Sequence, residues 1–232
     1  MVPVMLLLAS CMATFPPREN GVPGAGRETG GSTAEAPAEG RPPGTTSGAV
    51  DEYEERRRLS IVQQARSLIG TRDLGPAGPV YRRNDCTGFL VGVYRSMGME
   101  VPLRRVGGAP RISELLFRNL RSSRLTFFNA RPRVADVVFF KGTIPGNPGR
   151  ITHVGMVSAL EEDGTVEILH YSSTGVAVMH MNLDQPNRHT LEDGRVINDF
   201  VRKRPDGYAN VPLLAGELFH AYGDLYTFTT LK

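Results

Sequence analysis

Cysteine, long apolar runs and excess charge are all scarce in this sequence, and each scarcity excludes a class of protein. Two cysteines among 232 residues rule out a disulfide framework and a cysteine-based metal cluster. No apolar run reaches the roughly 18 residues that a transmembrane helix needs. The formal net charge of +3 is too small for a dedicated nucleic-acid-binding protein. The sequence therefore predicts no metal, no cofactor and no nucleic-acid partner.

The first eleven residues resemble the end of a bacterial secretion signal. Segment 1–11 is apolar and ends in Leu8-Ala9-Ser10-Cys11, which resembles a lipobox, where the cysteine is lipidated and becomes the new N-terminus. Because no Lys or Arg precedes this short run, either the true start lies upstream of Met1 or the segment is not a signal. The lipobox interpretation predicts a lipid anchor at Cys11. The protein would then lie in the bacterial cell envelope, on the periplasmic side of a membrane, or be secreted.

A flexible tether is predicted between this anchor and the folded domain. Residues 12–50 are rich in Gly and Pro and contain no Leu or Ile. Such a segment cannot bury enough apolar surface to offset the entropy lost on ordering. The folded domain is therefore predicted to span 51–232, at the end of a tether that lets it work away from the membrane.

Helices are predicted first and an antiparallel meander after them, which is typical of an α+β domain. Apolar residues at helical spacing predict a helix that ends before Gly70, a second at about 86–97 and a third at about 112–120. Apolar stretches predict strands at 137–140, 151–160, 166–171 and 176–181, with a hairpin turn at 161–164. The C-terminal prediction is a helix at 213–222 followed by a strand at 225–230.

Cys86 is a candidate nucleophile because it lies at the predicted start of a helix. Unpaired backbone N–H groups and the positive end of the helix dipole favour the thiolate there. A nearby imidazole would complete the activation. The alternative is that Cys86 is a small buried apolar side chain, which is common for free cysteine.

Two histidines lie on neighbouring predicted strands, His153 near the start of one and His170 near the end of the next. A hairpin turn at Asp163-Gly164 would set them roughly 13 Å apart along the strands. A turn centred on Glu161-Glu162 would instead bring them opposite each other, and the sequence does not decide between the two. Two histidines at one end of a hairpin suit a base and the partner that orients it.

Four segments together resemble the NlpC-type cell-wall cysteine peptidases. They read DCTGF at 85–89, ADVVFF at 135–140, THVGMV at 152–157 and HYSSTGV at 170–176, in the order of that family, and the resemblance covers about residues 55–182. It implies a papain-like α+β fold, with N-terminal helices packed on a small antiparallel sheet. It also implies Cys86 as nucleophile at a helix N-terminus, His153 as base and His170 as the residue that orients the base.

Some positions depart from the family pattern. Thr87 replaces the usual serine, and Ala135 replaces the usual glycine. The substrate-binding tyrosine of the family normally lies well upstream of the cysteine, whereas Tyr81 stands close to Cys86. Tyr81 is therefore only a candidate for substrate binding or for stabilising the oxyanion.

The resemblance implies a monomeric, lipid-anchored hydrolase of peptidoglycan stem peptides that cuts after γ-D-glutamyl, next to diaminopimelate. One alternative is the related CHAP group of amidohydrolases and peptidases, which can cut the sugar–peptide amide. That group usually has an acid or Asn where His170 stands. A second alternative is a catalytically silent wall-binding module of the same fold, against which the intact set of Cys86, His153 and His170 argues.

The remaining histidines receive structural interpretations. His180 shares a strand face with apolar residues, which predicts a hydrogen-bonded structural role, and His220 is placed in an apolar helix. Asp199 lies in a polar loop region and receives no role. Six arginines in the stretch 98–135 are predicted to be solvated; they are Arg104, Arg105, Arg111, Arg118, Arg121 and Arg124.

Overall fold

Three helices precede the sheet in a computed structural model that describes residues 47–75, 83–105, 108, 111–202 and 211–231. They are α1, Ser47–Arg66; α2, Cys86–Ser96; and α3, Ile112–Ser122. Helix α1 already begins at Ser47, inside the segment that the sequence predicts as tether. Cys11 and Tyr81 lie outside the described residues. None of the described helices is both long and apolar enough to span a bilayer.

The described strands form one six-stranded antiparallel sheet with the order β1-β6-β2-β3-β4-β5. The strands are β1, Thr126–Phe127; β2, Val137–Lys141; β3, Ile151–Leu160; β4, Val166–Ser172; β5, Gly175–Met181; and β6, Phe219–Gly223. Strands β3, β4 and β5 form the predicted meander. The α+β class is therefore confirmed.

The C-terminal prediction is wrong in both of its elements. The chain forms a short helix α4 at Ala215–Leu218, then strand β6, then helix α5 at Leu225–Thr230. Strand β6 inserts between β1 and β2, and this pairing on both sides outweighs the helical spacing of its apolar residues. Asp224 starts α5 as an N-cap, because its carboxylate accepts the Thr227 N–H at 2.9 Å.

The sheet buries both of its faces. One face carries Val137, Phe139, Val154 and Met156 and belongs to the same core as the apolar residues of α1, α2 and α3. The other face carries Val138, Phe140, Val157 and Ile168 and packs against α4. Because side chains alternate along a strand, odd-numbered His153 lies on the second face, opposite to the helices. Both histidines therefore project away from the main helical layer.

A buried arginine ties the first helix to the middle and the end of the chain. The side chain of Arg58 is only 2% exposed and contacts Glu54 at 2.7 Å, Asp136 at 2.8 Å and Asp224 at 2.6 Å. Its guanidinium also lies 4.8 Å from the centre of the Tyr226 ring. Burial opposes the charge, but the Asp136 and Asp224 carboxylates outweigh it and raise the pKa of Arg58. The cluster joins α1 to the start of β2 and to α5.

Arg58→Met is expected to lower the free energy of unfolding by about 3–5 kcal/mol, because it leaves buried carboxylates without their counter-ion. Arg56→Ala is the matched control on the same helix, since the Arg56–Glu52 pair is exposed on both sides. That control should cost about 0.5 kcal/mol or less. Urea unfolding of both variants measures the difference. Equal losses in the two variants would contradict a stabilising role for the cluster.

Candidate active site

Three neighbours of Cys86 fix it in the first turn of α2. Asp85 is the N-cap, and its Oδ1 accepts the Gly88 N–H at 2.7 Å. Arg83 in turn donates from Nε to Asp85 Oδ2 at 2.6 Å. A Cβ atom on Gly88 would lie 2.2 Å from the carbonyl oxygen of Arg83, so only glycine fits beneath the incoming loop. The DCTGF pattern therefore serves the placement of the cysteine.

Asn84 anchors the loop that leads into Cys86, a role that sequence reasoning missed. Its Oδ1 accepts the Leu74 N–H at 2.7 Å, and its Nδ2 donates to Asp73 Oδ1 at 2.9 Å. The carboxamide thereby joins the residues before the cysteine to the segment that follows α1. Asparagine one position before the Asp85 cap was the signal, since its short polar side chain commonly bonds to nearby backbone.

The structure does not support the expected thiolate at Cys86. Burial is the largest influence and raises the pKa of the Cys86 thiol, and the neighbouring Asp85 carboxylate raises it further. The backbone N–H groups of Thr87 and Val154 act in the opposite direction without outweighing them. Because burial outweighs these hydrogen bonds, the protonated thiol is the favoured form of Cys86. A base must therefore remove its proton during a reaction.

The rings of the two histidines are in contact. The register of the hairpin that brings them together is neither of the two predicted ones. The chain reverses over residues 161–165, where the Glu161 N–H donates to the Thr165 carbonyl at 2.8 Å. Val157 then pairs with Ile168 and Met156 with Leu169, which sets His170 beside Gly155. His153 Nε2 lies 2.9 Å from His170 Nδ1, and the two rings are perpendicular.

Gly155 makes this diagonal contact possible. A Cβ atom there would lie 2.4 Å from Ile168 Cγ2 and 3.4 Å from His170 Cβ. The missing side chain leaves room for the His153 ring to reach across to the neighbouring strand. The glycine in the THVGMV segment is therefore explained by packing between the two histidines.

Both imidazoles are held neutral by their surroundings. Burial, together with a smaller contribution from the adjacent His170, lowers the pKa of His153 to about 3. Burial also lowers the pKa of His170 to about 4, although the Asp199 carboxylate opposes this shift. Each ring is then uncharged at pH 7, with one nitrogen that donates and one that accepts. A neutral His153 is in the protonation state that a base requires.

Cys86 and His153 share the backbone of β3 as a neighbour. The N–H that acts on the Cys86 sulfur belongs to Val154, and so to the peptide unit that joins His153 to Val154. Because His153 Nε2 is engaged by His170, Nδ1 is the ring nitrogen left for a proton transfer. The structure therefore pairs two neutral imidazoles directly, and it places the thiol against the backbone of the strand that carries His153.

A cleft of about 820 Å³ opens over the histidine pair. It is lined by residues 143–145, by Thr152 and His153 of β3, by residues 170–173 and by residues 200–202, together with Leu213. Cys86 is not among the described residues that line it. The cleft therefore gives access to the histidine pair from the face of the sheet opposite to the helices.

The other sequence-predicted residues fall outside this centre. His180 has the predicted hydrogen-bonded role, since its ring Nδ1 lies 3.1 Å from Asp199 Oδ2. His220 is on strand β6 rather than in a helix, and its ring packs against Phe117. Asp199 is a residue that sequence reasoning missed, because its charge acts on His170 from a remote loop. Of the six arginines predicted to be solvated in the stretch 98–135, five are exposed. The sixth, Arg118, forms an ion pair with Glu114 at 2.9 Å.

The histidine pair predicts a loss of stability in mild acid. The unfolded chain binds protons at both histidines below about pH 6.5, whereas the folded chain resists them until about pH 4. Because the unfolded state then holds more protons, the free energy of unfolding should fall from pH 6.5 to pH 4, by about 3 kcal/mol for each histidine. Urea unfolding across this range measures it. The double variant His153→Asn/His170→Asn should show a shallower dependence, and an identical slope would contradict the assignment.

No family model matches the chain, and no curated protein is significantly similar to it. Within the described ranges, no group of three His, Cys, Asp or Glu side chains is arranged to hold a metal ion.

Proposed function

We propose that the protein is a cysteine hydrolase that cleaves amide bonds of peptidoglycan stem peptides, of the γ-D-glutamyl-diaminopimelate endopeptidase type. The observation that carries the proposal is the 2.9 Å contact between His153 Nε2 and His170 Nδ1, on a strand whose Val154 backbone N–H also bonds the sulfur of Cys86 at a helix N-terminus. An imidazole oriented by a second group and placed near a thiol is the arrangement that nucleophilic cysteine catalysis requires. The resemblance to the NlpC-type peptidases supplies the substrate class and the papain-like fold.

The first step is attack on the amide carbonyl. His153 takes the Cys86 proton on Nδ1 as the sulfur bonds to the carbonyl carbon, so that no free thiolate has to exist beforehand. His153 keeps its other proton on Nε2, and this N–H donates a hydrogen bond to His170 Nδ1. The backbone N–H of Cys86 stabilises the negative oxygen that forms, with Tyr81 as a candidate second donor.

The second step releases the amine and regenerates the enzyme. His153 passes its Nδ1 proton to the leaving nitrogen as the carbon–nitrogen bond breaks, which leaves a thioester on Cys86. Water then attacks the thioester while His153 takes a proton from it. The sulfur leaves with that proton, and the products are a new carboxylate and a free amine.

Attachment to the cell envelope belongs to the same proposal. The lipobox-like residues before Cys11 and the Gly/Pro-rich segment after it suit an enzyme that is tethered to a membrane and reaches the wall. The substrate would be peptidoglycan, and the enzyme would act as a monomer without a cofactor.

Mass spectrometry of products from purified wall fragments tests the proposal. The expected result is a new amine on diaminopimelate and a new γ-carboxylate on D-glutamate. Release of the intact stem peptide from muramic acid would instead identify a CHAP-type amidase. Unchanged fragments would identify a silent wall-binding module. His170 is a nitrogen partner of His153 rather than an acid or Asn, and this favours the endopeptidase.

A further inference from the structure

One arginine of the cleft has a buried nitrogen without a hydrogen-bond partner. The Nε atom of Arg202 is buried, and no partner for it exists among the described residues. A buried donor of a charged group costs free energy unless something binds it. The contrast with Arg58, which contacts three carboxylates, shows how this chain satisfies a buried guanidinium elsewhere.

No carboxylate lines the cleft around Arg202 among the described residues. Its described lining consists of apolar residues, hydroxyl side chains, the two histidines and Arg202, without an Asp or Glu. Both histidines are neutral at pH 7, since burial lowers the pKa of each. Arg202 is therefore the one charged side chain in the described lining, at the position where a substrate of the histidine pair would lie.

The rim of the cleft is apolar. Phe200 is 59% exposed, and its ring centre lies 4.6 Å from that of His189 in a tilted arrangement. Ile144 also lines the cleft with an exposed side chain. Exposed large apolar side chains beside a single cation suit a ligand that combines aliphatic carbon with one anionic group.

We infer that Arg202 is a specificity-determining residue that binds a carboxylate of the substrate, next to the amide bond that is cleaved. This inference rests on the proposed function for the identity of the reaction. A guanidinium binds a carboxylate through two parallel hydrogen bonds, and such charged contacts are stronger than neutral ones. The ligand class is an acidic peptide with aliphatic side chains, held so that its scissile carbonyl reaches the centre beside His153.

The experiment compares γ-D-glutamyl-diaminopimelate peptides in which each carboxylate is replaced in turn by a carboxamide. For the wild type, one replacement should lower kcat/KM by about 10- to 100-fold. The Arg202→Gln variant should have a kcat/KM for the acidic peptide that is lower by the same factor. Its kcat/KM for the peptide that carries this carboxamide should equal the wild-type value. Arg202→Lys should recover part of the preference. Arg121→Gln, which alters an exposed arginine of α3, is the matched control and should keep it in full.

Calorimetric binding of the same peptides to the Cys86→Ala variant separates this inference from the proposed function. A preference for the acidic peptide that disappears on adding Arg202→Gln supports the carboxylate site, even if the wild type proves unable to cleave. Equal binding of acidic and amide peptides, a preference that survives Arg202→Gln, or no binding at all would overturn it. Thermal melting of each variant ensures that only folded protein is compared.

Discussion

Cys86→Ala is expected to abolish cleavage of the wall peptide while leaving the protein folded. Loss of the nucleophile should lower kcat/KM by roughly 10⁴-fold or more, since the remaining groups of the site act through it. The side chain is small and partly buried at the start of α2, so its truncation should cost only about 1 kcal/mol of stability. Product formation measured by mass spectrometry, together with thermal melting, tests both halves of this expectation.

Cys86→Ser is the closest control, because it keeps the size and polarity of the side chain. It should also be inactive, since a hydroxyl is a far weaker nucleophile than a sulfur whose proton His153 removes. Activity near that of the wild type in either variant would refute the cysteine mechanism. A sharp drop in melting temperature with Cys86→Ala would show instead that Cys86 is a packing residue.

His153→Ala should be nearly inactive, whereas His170→Asn should keep measurable activity. A direct acid–base group contributes about 10²- to 10⁴-fold, and His153 is the proposed base. His170 acts only through His153, because its Nδ1 accepts a hydrogen bond from the His153 Nε2–H. The Oδ1 of an asparagine stands about as far from the backbone as the Nδ1 of histidine, so His170→Asn preserves an acceptor there. Values of kcat/KM on a γ-D-glutamyl-diaminopimelate peptide measure the difference.

His180→Ala serves as the control for the histidine variants. Its ring contacts Asp199, but the backbone N–H of residue 180 also donates to that carboxylate at 2.7 Å, so activity should stay near the wild-type value.

The acid limb of kcat/KM should lie far below the usual histidine range, because the pKa of His153 is lowered to about 3. If His170→Asn is as inactive as His153→Ala and His180→Ala is also crippled, the assignment of the third residue fails.

The sequence predicted those parts of the site that are determined locally. The start of α2 at Cys86 and the apolar spacing after it are contained within one helix, and both are as expected. The strands that carry His153 and His170 also lie where their apolar stretches predicted them. The left-handed φ of +68° at Ala135 also explains why glycine is usual at that point of the family pattern.

The parts that the sequence left undetermined depend on contacts between distant segments. The hairpin register depends on how residues 161–165 turn, and one residue of slip moves every side chain to the other face. Strand β6 is fixed by its neighbours β1 and β2 rather than by its own spacing. Arg202 lines the cleft over the histidines, and the charge of Asp199 acts on His170. Both residues lie on a segment that is distant from the histidines in the sequence. The raised pKa of Cys86 likewise reflects burial, which a helix-start pattern alone does not reveal.

Covalent labelling with a substrate-like probe tests the central claim most directly. A γ-D-glutamyl peptide that ends in an acyloxymethyl ketone would present its carbonyl to the proposed nucleophile, and peptide mapping by mass spectrometry would locate the adduct. The proposed mechanism predicts a single adduct on Cys86, formed much more slowly in His153→Ala and at a near-normal rate in His180→Ala. No adduct on Cys86, or labelling at the same rate in wild type and His153→Ala, would contradict a cysteine nucleophile activated by His153.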